Sequence, residues 1–541
     1  MHPSIPYLAI LPLLLAGCST SNASYCDEIT PCASEASACD LERNECTAVP
    51  EVNQCDEANL CSDVDAPFCV NSVCVACEID MDCGEDFVCD SENQCTPFTC
   101  TRGPGEDASC IARDAATPFC SADGASCRGC AEHSECDSGV CDSEIAECIP
   151  ASEIVYVEKS GSDAGDCGDV ESPCLSVQAG LEKIYPERSY LRILGGSYDE
   201  QLSITNTRVT IVGSEGATIE PIIEVNSTVL SIDGTSQVVV DGVNLRANPL
   251  GDVFATVVKC VGANASVQLL DLTVGGATNV GVDGRECAVT GKRLQVIGAP
   301  LGISVTDGQL DLDDSSISVT TVGNGITGVR TAMTITRSTI AECDDVGVVS
   351  KDGSLTLTAS NVKGNLLGGV RIENSDYALT NNFVLDNGAP GEISWGGVTI
   401  ENTDVHSPQQ LDFNTIAGNR ITGSLSSAAN LACSTASSAI GHSNIVYQTF
   451  PESSQPNVEL SNCILQYSNI EGESGGIGNL DAPPLFINPV SGLGADYHLQ
   501  QGSPSQDTAL PGETGVEVDY DGDPRPQGGR SDMGADEVLA R

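Results

Sequence analysis

Residues 302–346 contain two consecutive copies of one pattern, GISVTDGQLDLDDSSISVTTVGN (302–324) and GITGVRTAMTITRSTIAECDDV (325–346). Each copy opens with a glycine followed by an aliphatic residue. This pair recurs with steps of 21, 23, 22, 22 and 28 residues at Gly281-Val282, Gly302-Ile303, Gly325-Ile326, Gly347-Val348, Gly369-Val370 and Gly397-Val398. A second aliphatic series keeps the same period at Leu245, Val274, Val296, Ile317, Ile340, Val362, Val384 and Ile416. Two series with one period indicate an internal repeat of about 22 residues.

Short alternating stretches inside each repeat predict strands rather than helices. Leu310-Asp311-Leu312 and Thr334-Ile335-Thr336 have a period of two, which is typical of a half-buried strand. Leu312 and Ile317 are five residues apart, which breaks the alternation and predicts a tight turn between two strands. A serine or asparagine follows this turn at Ser315, Ser338, Ser360, Asn382 and Asn414. If the repeats stack, these side chains can hydrogen-bond from one repeat to the next; plain surface polarity is the alternative.

A repeat of this length with several strands and no helix can bury its apolar face only by stacking on its neighbours. The sequence therefore predicts an all-β protein, a parallel β-helix solenoid of about a dozen coils, preceded by small disulfide-rich modules. We assign the coils to residues 204–480. Because the open end of a β-helix exposes strand edges, we assign caps to residues 154–203 and 481–541.

Both ends of this region resemble a known group of proteins. Ile154-Val155-Tyr156-Val157, a helix-like stretch ending at Ile184, and Leu191–Tyr198 closely resemble the N-terminal cap of bacterial right-handed β-helix proteins of the pectate-lyase-like class. In that class an amphipathic helix plugs the open end. Asp519–Pro526 and Asp532–Glu537 resemble the terminal signature of choice-of-anchor Q proteins. The resemblance covers about residues 154–541 and implies a right-handed parallel β-helix.

The amino terminus suggests export. An apolar run from Tyr7 to Ala16 ends in Leu-Ala-Gly-Cys at Cys18, and it is too short to span a bilayer as a mature helix. It resembles a bacterial lipoprotein signal, which implies a signal peptide at 1–17, acylation of Cys18 and a tether at 18–25. Ser19 would favour sorting to the outer membrane. The expected location is the bacterial cell envelope, facing the periplasm or the exterior; an ordinary secretory signal is the alternative.

Cysteines are concentrated in residues 26–148, which hold 20 of the 28 in the chain. Their spacing repeats as units of four, eight and eight cysteines. In an exported chain the default is disulfides, although Cys74-x-x-Cys77 and Cys127-x-x-Cys130 could instead start zinc sites. We assign residues 149–153 to a linker.

Seven cysteines lie in the region that resembles a β-helix. That fold implies that Cys167 with Cys174 staples the N-terminal cap. Two further pairs would link neighbouring coils, and Cys343 would remain a buried thiol. The expected pairs are Cys260 with Cys287 and Cys433 with Cys463.

The formal net charge of −54 speaks against nucleic acid as a partner. Many proteins of the pectate-lyase-like class act on acidic polysaccharides with carboxylates, calcium and a basic residue. The best such grouping here is Asp344 and Asp345 with Lys351, flanked on adjacent coils by Arg330 and Arg371. Scattered charges on a dozen coils can produce such a grouping by chance, and the negative field of the protein would repel a polyuronate.

Two further features are candidate binding sites. Asp519, Asp521 and Asp523 have an oxygen-rich spacing that calcium favours, although the segment also has the composition of an ordinary turn. We expect no cofactor, with calcium at this segment as the alternative. Trp395 is the only tryptophan and lies in an insertion of the repeat. It could stack on a sugar ring or be buried in the core.

These observations favour a non-catalytic, lipid-anchored cell-envelope protein whose β-helix presents a surface for a polysaccharide or an envelope protein. The alternative is a polysaccharide lyase or glycoside hydrolase of the pectate-lyase-like fold. A purely structural envelope component is a third possibility.

Overall fold

The computed structural model describes most of the chain from residue 87 onward and short pieces before it. The described residues are 37–40, 45–48, 68–70, 73–77, 82–83, 87–101, 106–114, 116–318, 322–389, 394–404, 406–421, 428–449, 456–472, 475–490, 492, 494–512 and 515–539. They divide into a cysteine-rich unit, which ends at residue 148, and a β-helical unit, which comprises residues 138–140 and 149 onward. Cys18 lies outside the described residues.

The cysteine-rich unit consists of small antiparallel hairpins. Their strands pair as Ser37–Asp40 with Glu45–Ala48, Phe68–Val70 with Val73–Val75, Phe87–Cys89 with Cys95–Pro97, Phe119–Cys120 with Cys127–Arg128, and Cys141–Asp142 with Glu147–Cys148. A helix at Ala108–Arg113 and a 3-10 turn at His133–Glu135 complete it. Elements this short bury little apolar surface, so covalent links must supply much of the stability.

The described cysteines of this unit confirm the disulfide prediction. In each of three successive quartets the first cysteine pairs with the third and the second with the fourth: Cys77–Cys89, Cys83–Cys95, Cys100–Cys120, Cys110–Cys127, Cys130–Cys141 and Cys136–Cys148. The zinc alternative is wrong for Cys77, Cys127 and Cys130, because an oxidised sulfur has no thiolate to offer a metal.

The β-helical unit is built from three parallel sheets that run the length of the coils. Sheet A contains Leu202–Thr205, Ser227–Asp233, Ala255–Val261, Val280–Arg285, Leu301–Thr306, Ile326–Val329, Val346–Lys351, Gly368–Glu373, Val398–Asn402, the first part of Leu431–His442, and Val458–Gln466. Sheet B contains Ile154–Val157, Tyr190–Ile193, Arg208–Gly213, Gln237–Asp241, Ser266–Leu270, Ala288–Lys292, Gln309–Asp313, Ala332–Thr336, Ser354–Thr358, Asp376–Thr380 and Gln409–Asp412.

Sheet C is the third wall and contains Gly196–Tyr198, Ala217–Ile219, Asn244–Arg246, Thr273–Gly275, Gln295–Ile297, Ser316–Ser318, Thr339–Ala341, Asn361–Lys363, Phe383–Leu385, Thr415–Ala417, Ile445–Tyr447 and Asn469–Ile470. A small side sheet pairs Ile222–Ile223 with Asn248–Pro249. Each full coil contributes one strand to each sheet, and the twelve described strands of sheet C confirm a parallel β-helix of about a dozen coils.

Both aliphatic series form continuous stacks. Ile317 pairs with Ile340 and Ile340 with Val362 in sheet C, while Ile303 pairs with Ile326 in sheet A. The glycine before each sheet A aliphatic has a steric cause: a Cβ on Gly302 would lie 2.4 Å from the carbonyl oxygen of Gly325 on the next coil. The inward side chains form one buried core along the axis, because alternate residues of a strand point to opposite faces.

The predicted polar series is a buried ladder at the corner between sheets B and C. The backbone N–H of each member donates to the side-chain oxygen of the next, from Ser315 through Ser338, Ser360, Asn382, Asn414 and Asn444 to Ser468. The residue before each member adopts a left-handed conformation, for example Asp314 with φ 48° and Asn381 with φ 56°. A second ladder, which the sequence prediction missed, follows sheet C through Asn365, Asn387, Asn419 and Asn430.

The first coil is covered by the predicted helix, which spans Val177–Leu181. Its first backbone N–H groups donate to the carboxylate of Glu200 at 2.9 Å. A Cβ on Gly180 would lie 2.7 Å from Val157, so this glycine lets the helix lie directly on the first strands. A 3-10 turn at Ala151–Glu153 occupies the segment assigned to a linker.

The disulfides of the β-helical unit agree with the expected pairs, Cys167–Cys174, Cys260–Cys287 and Cys433–Cys463. Cys343 remains a thiol, buried in the core with its Sγ 3.6 Å from the carbonyl oxygen of Ala341.

The C-terminal segment, residues 481–539, packs along the outer face of sheet C as well as against the last coil. Its antiparallel hairpin pairs Phe486–Asn488 with Asp496–Leu499. A second buried cluster joins it to outward side chains of the late coils, with members that include Phe383, Phe413, Ile445, Phe486, Tyr497 and Met533. No helix in the described part of the chain has the length and apolar character needed to cross a bilayer.

Candidate functional site

Three adjacent strands of sheet A, the seventh to the ninth of eleven, carry a charged surface. In register, Lys351 pairs with Glu373 and Glu373 with Glu401, while Arg371 lies one coil from Thr399. Arg371 and Glu373 are two residues apart on one strand and therefore share its outward face.

Arg371 is the centre of this surface. Its guanidinium carbon lies 3.7 Å from the ring centre of Trp395, and the guanidinium also forms an ion pair with Glu373. Lys351 Nζ lies 3.1 Å from Glu373 Oε2. Glu373 is thus shared by two cations, while Arg371 is additionally held by a cation–π contact.

Trp395 is partly exposed and lies outside the two large buried clusters. Its backbone N–H donates to the carbonyl of Leu367 at 2.6 Å, and its own carbonyl accepts from Thr399 Oγ1 at 2.8 Å. A Cβ on Gly368 would lie 2.9 Å from the Cβ of Trp395. Trp395 is therefore held closely against sheet A, with the indole at the surface of the coil.

Asp345 borders the same surface and is half-buried. Burial raises the pKa of its carboxyl, opposed by the N–H of Val346 and the charge of Arg371. Burial also lowers the pKa of Arg371, opposed by the charges of Glu401 and Asp345. We call the group formed by Asp345, Lys351, Arg371, Glu373, Trp395 and Glu401 the Arg371 patch.

The structure places Asp345, Lys351 and Arg371 in this patch and directs the side chain of Arg330 elsewhere. Arg330 turns away at the corner after sheet A, in a left-handed conformation with φ 50°, and binds both carboxylate oxygens of Asp307 at 2.5 and 2.7 Å. Asp344 is exposed. Glu373 and Glu401 were missed, although their place two residues after an outward sheet A position was the signal that could have found them.

The three aspartates considered for calcium do not converge. Asp519 is buried, and its Oδ1 accepts from the backbone N–H groups of Asp521 at 2.9 Å and Asp523 at 2.8 Å. Its Oδ2 accepts from the N–H of Glu537 at 2.9 Å. Asp519 therefore organises the loop, and among the described residues the three carboxylates do not form a cluster of ligand atoms.

The sequence matches no protein-family model and no curated protein. Solved structures of similar fold include pectate lyase Pel9A, at 14% identity and a TM-score of 0.39, with 71% of this chain and 96% of that chain covered. XylC in complex with xylose matches at 11% identity and a TM-score of 0.44, covering 72% and 99%. The periplasmic alginate epimerase AlgG matches at 12% identity and a TM-score of 0.22, covering 54% and 82%. This likeness concerns the β-helix fold alone, which the strand pairing establishes independently.

Proposed function

We propose that this protein is a glycan-binding component of a bacterial cell envelope, held to the outer membrane by a lipid on Cys18, and that the Arg371 patch is its contact surface. The observation that carries the proposal is the stack of Arg371 on the partly exposed ring of Trp395, 3.7 Å from guanidinium carbon to ring centre. Carbohydrate sites combine an aromatic side chain with a few polar groups that fix orientation, and the patch places a partly exposed indole beside five charged side chains.

Charge narrows the class of glycan. Asp345, Glu373 and Glu401 outnumber the two bases of the patch, and the chain as a whole carries a formal charge of −54. A negative surface raises the local concentration of cations and repels polyanions. A neutral or amino-sugar polysaccharide is therefore the favoured ligand over a polyuronate. The same negative charge would attract an envelope protein with a basic surface.

The pairing of the bases supports binding rather than cleavage. A lyase needs a base that is free to take a proton at the working pH, whereas Lys351 and Arg371 both contact Glu373. A lyase or hydrolase remains the second candidate. Burial lowers the pKa of Arg371, which is the direction that a general base needs. Burial raises the pKa of Asp345, which is the direction that a general acid needs.

Replacing Trp395 or Arg371 by alanine is expected to weaken binding to the best ligand of a polysaccharide panel at least tenfold, because each removes one half of the stack. Affinity electrophoresis and calorimetry measure the change. Arg246→Ala, an exposed arginine on sheet C that lies 3.7 Å from Glu220, is the control and should bind as the wild type does. Release of new reducing ends or unsaturated products by the wild type would favour the second candidate, and an empty panel would contradict both.

The proposed anchor is tested separately. In a Gram-negative host the full chain should partition into the detergent phase with the outer membrane, whereas Cys18→Ser should leave it unacylated and in the soluble fraction. Mass spectrometry of the amino-terminal peptide identifies the lipid. An unmodified Cys18 in the wild type would contradict the anchor and leave the glycan site untouched.

A further inference from the structure

The C-terminal segment holds one histidine ring in a fixed orientation. His498 Nδ1 lies 2.6 Å from Oδ1 of Asp496, which also accepts the backbone N–H of His498 at 3.0 Å. Phe383 contacts the ring edge-on at 5.1 Å between ring centres, and Tyr520 lies at 6.3 Å. In the tautomer with a proton on Nδ1, this carboxylate accepts a hydrogen bond from Nδ1–H, and Nε2 is the nitrogen with a lone pair.

Two carboxylates face Nε2. Asp521 Oδ2 lies 3.0 Å away, and Asp536 contributes a third ligand atom, so that all three atoms lie within 4.8 Å of one another. Asp536 is buried, and its Oδ2 accepts from the N–H of Leu499 at 2.6 Å. Nε2 is shielded from solvent and, among the described residues, forms no hydrogen bond of acceptable geometry despite its closeness to Asp521.

We propose that His498, Asp521 and Asp536 bind a divalent transition-metal ion of the Zn²⁺ type, with Asp496 orienting the imidazole. One imidazole nitrogen and two carboxylates are the donors of mixed zinc sites, whereas calcium takes oxygen ligands only. The site differs from the calcium set suggested by the sequence and shares only Asp521 with it.

Three features of the geometry agree with this assignment. Ligand distances of about 2.0–2.2 Å place tetrahedral donors about 3.3–3.6 Å apart, which the cluster can reach with small side-chain movements. A metal-bound histidine nearly always donates its other N–H to a carboxylate, a backbone carbonyl or water, and Asp496 occupies that position. Asp521 is exposed, so water can fill the fourth position.

The ion would link three stretches of the C-terminal segment. His498 lies on the strand Asp496–Leu499 of the hairpin, Asp521 in the loop that Asp519 organises, and Asp536 near the end of the chain. A cation bound between the two carboxylates would also reduce the repulsion between them. We infer that the metal stabilises this segment against the late coils, independently of glycan binding.

The experiment uses the full, untagged mature chain after treatment with EDTA. Titration with Co²⁺ should produce the visible absorption of a tetrahedral or five-coordinate site, Zn²⁺ should abolish it, and Ca²⁺ should not. Zn²⁺ should also raise the thermal midpoint. His498→Gln and Asp521→Asn should each weaken Zn²⁺ affinity at least tenfold, and Asp496→Asn about 10–100-fold.

The matched control is His442→Gln. His442 Nδ1 lies 3.2 Å from Asp412 Oδ1, but among the described residues this pair belongs to no cluster of three ligand atoms. Its Zn²⁺ affinity should equal that of the wild type. Asp521 is exposed, so Asp521→Asn keeps the test valid if His498→Gln fails to fold. No Co²⁺ signal in the wild type, equal affinity in the Asp521 variant, or displacement of Co²⁺ by Ca²⁺ would overturn the proposal.

Discussion

Glu537→Ala is expected to destabilise the β-helical unit by about 3–5 kcal/mol, because it leaves a buried guanidinium without its counter-charge. The side chain of Arg525 is 0% exposed and that of Glu537 is 1% exposed, with 2.8 Å between Nη1 and Oε2. Arg525 also donates to the carbonyls of Asp532 and Gly534, and its guanidinium carbon lies 4.6 Å from the ring centre of Phe413. The pair therefore links two parts of the C-terminal segment, and Arg525 packs that segment on Phe413 of a late coil.

Urea unfolding followed by far-ultraviolet circular dichroism measures the loss. Most of the expected loss comes from leaving one charge unpaired. The double variant Arg525→Met with Glu537→Gln should therefore lose less stability than the sum of the losses in Arg525→Met and in Glu537→Gln measured singly. Arg246→Ala removes an exposed ion-pairing side chain, 59% exposed beside Glu220, and should change stability by at most about 1 kcal/mol. Additive single variants, or a Glu537→Ala protein as stable as Arg246→Ala, would contradict the account.

The coil architecture could be predicted because each coil needs the same residue types at the same positions, and these residues recur in the sequence. Each coil needs an aliphatic residue at the same inward position, as Ile317 and Ile340 show, and a glycine where the next backbone lies close, as at Gly302. The second asparagine ladder was missed because insertions change its spacing. Asn365 and Asn387 are 22 residues apart, but the next two steps are 32 and 11 residues, so no constant period marks it.

The candidate site was predicted only in part, because residues that are close in the sequence are not always close on the surface of the stacked coils. Asp345, Lys351 and Arg371 lie together in the Arg371 patch, but Arg330 belongs to a corner where the left-handed backbone directs it to Asp307. The contact between Trp395 and Arg371 could not be predicted, because Trp395 lies in an insertion that departs from the repeat. His498 was unremarkable in the sequence, since its partners Asp521 and Asp536 are 23 and 38 residues away.

Asn414→Ala is expected to destabilise the β-helical unit by on the order of 3 kcal/mol or more, since it removes one side chain that several buried groups need. Asn414 is 1% exposed. Its Oδ1 accepts from the backbone N–H and the Nδ2 of Asn382 at 3.1 and 2.9 Å. Its Nδ2 donates to the carbonyl of Leu379 and to Oδ1 of Asn444. Alanine would remove these four side-chain bonds and leave the buried backbone N–H of Asn382 without its acceptor.

The chain supplies its own conservative substitution for this test, because serine occupies the same corner on earlier coils. Ser360 Oγ accepts the N–H of Ser338 at 3.1 Å and donates to the carbonyl of Thr358 at 2.9 Å. Asn414→Ser should therefore recover a substantial part of the stability lost in Asn414→Ala. Thr334→Ala, an exposed position in sheet B, should change the unfolding free energy by about 0.5 kcal/mol. If serine and alanine at 414 were equally destabilising, the loss would come from cavity formation, and the hydrogen-bonded ladder would not be what holds successive coils in register.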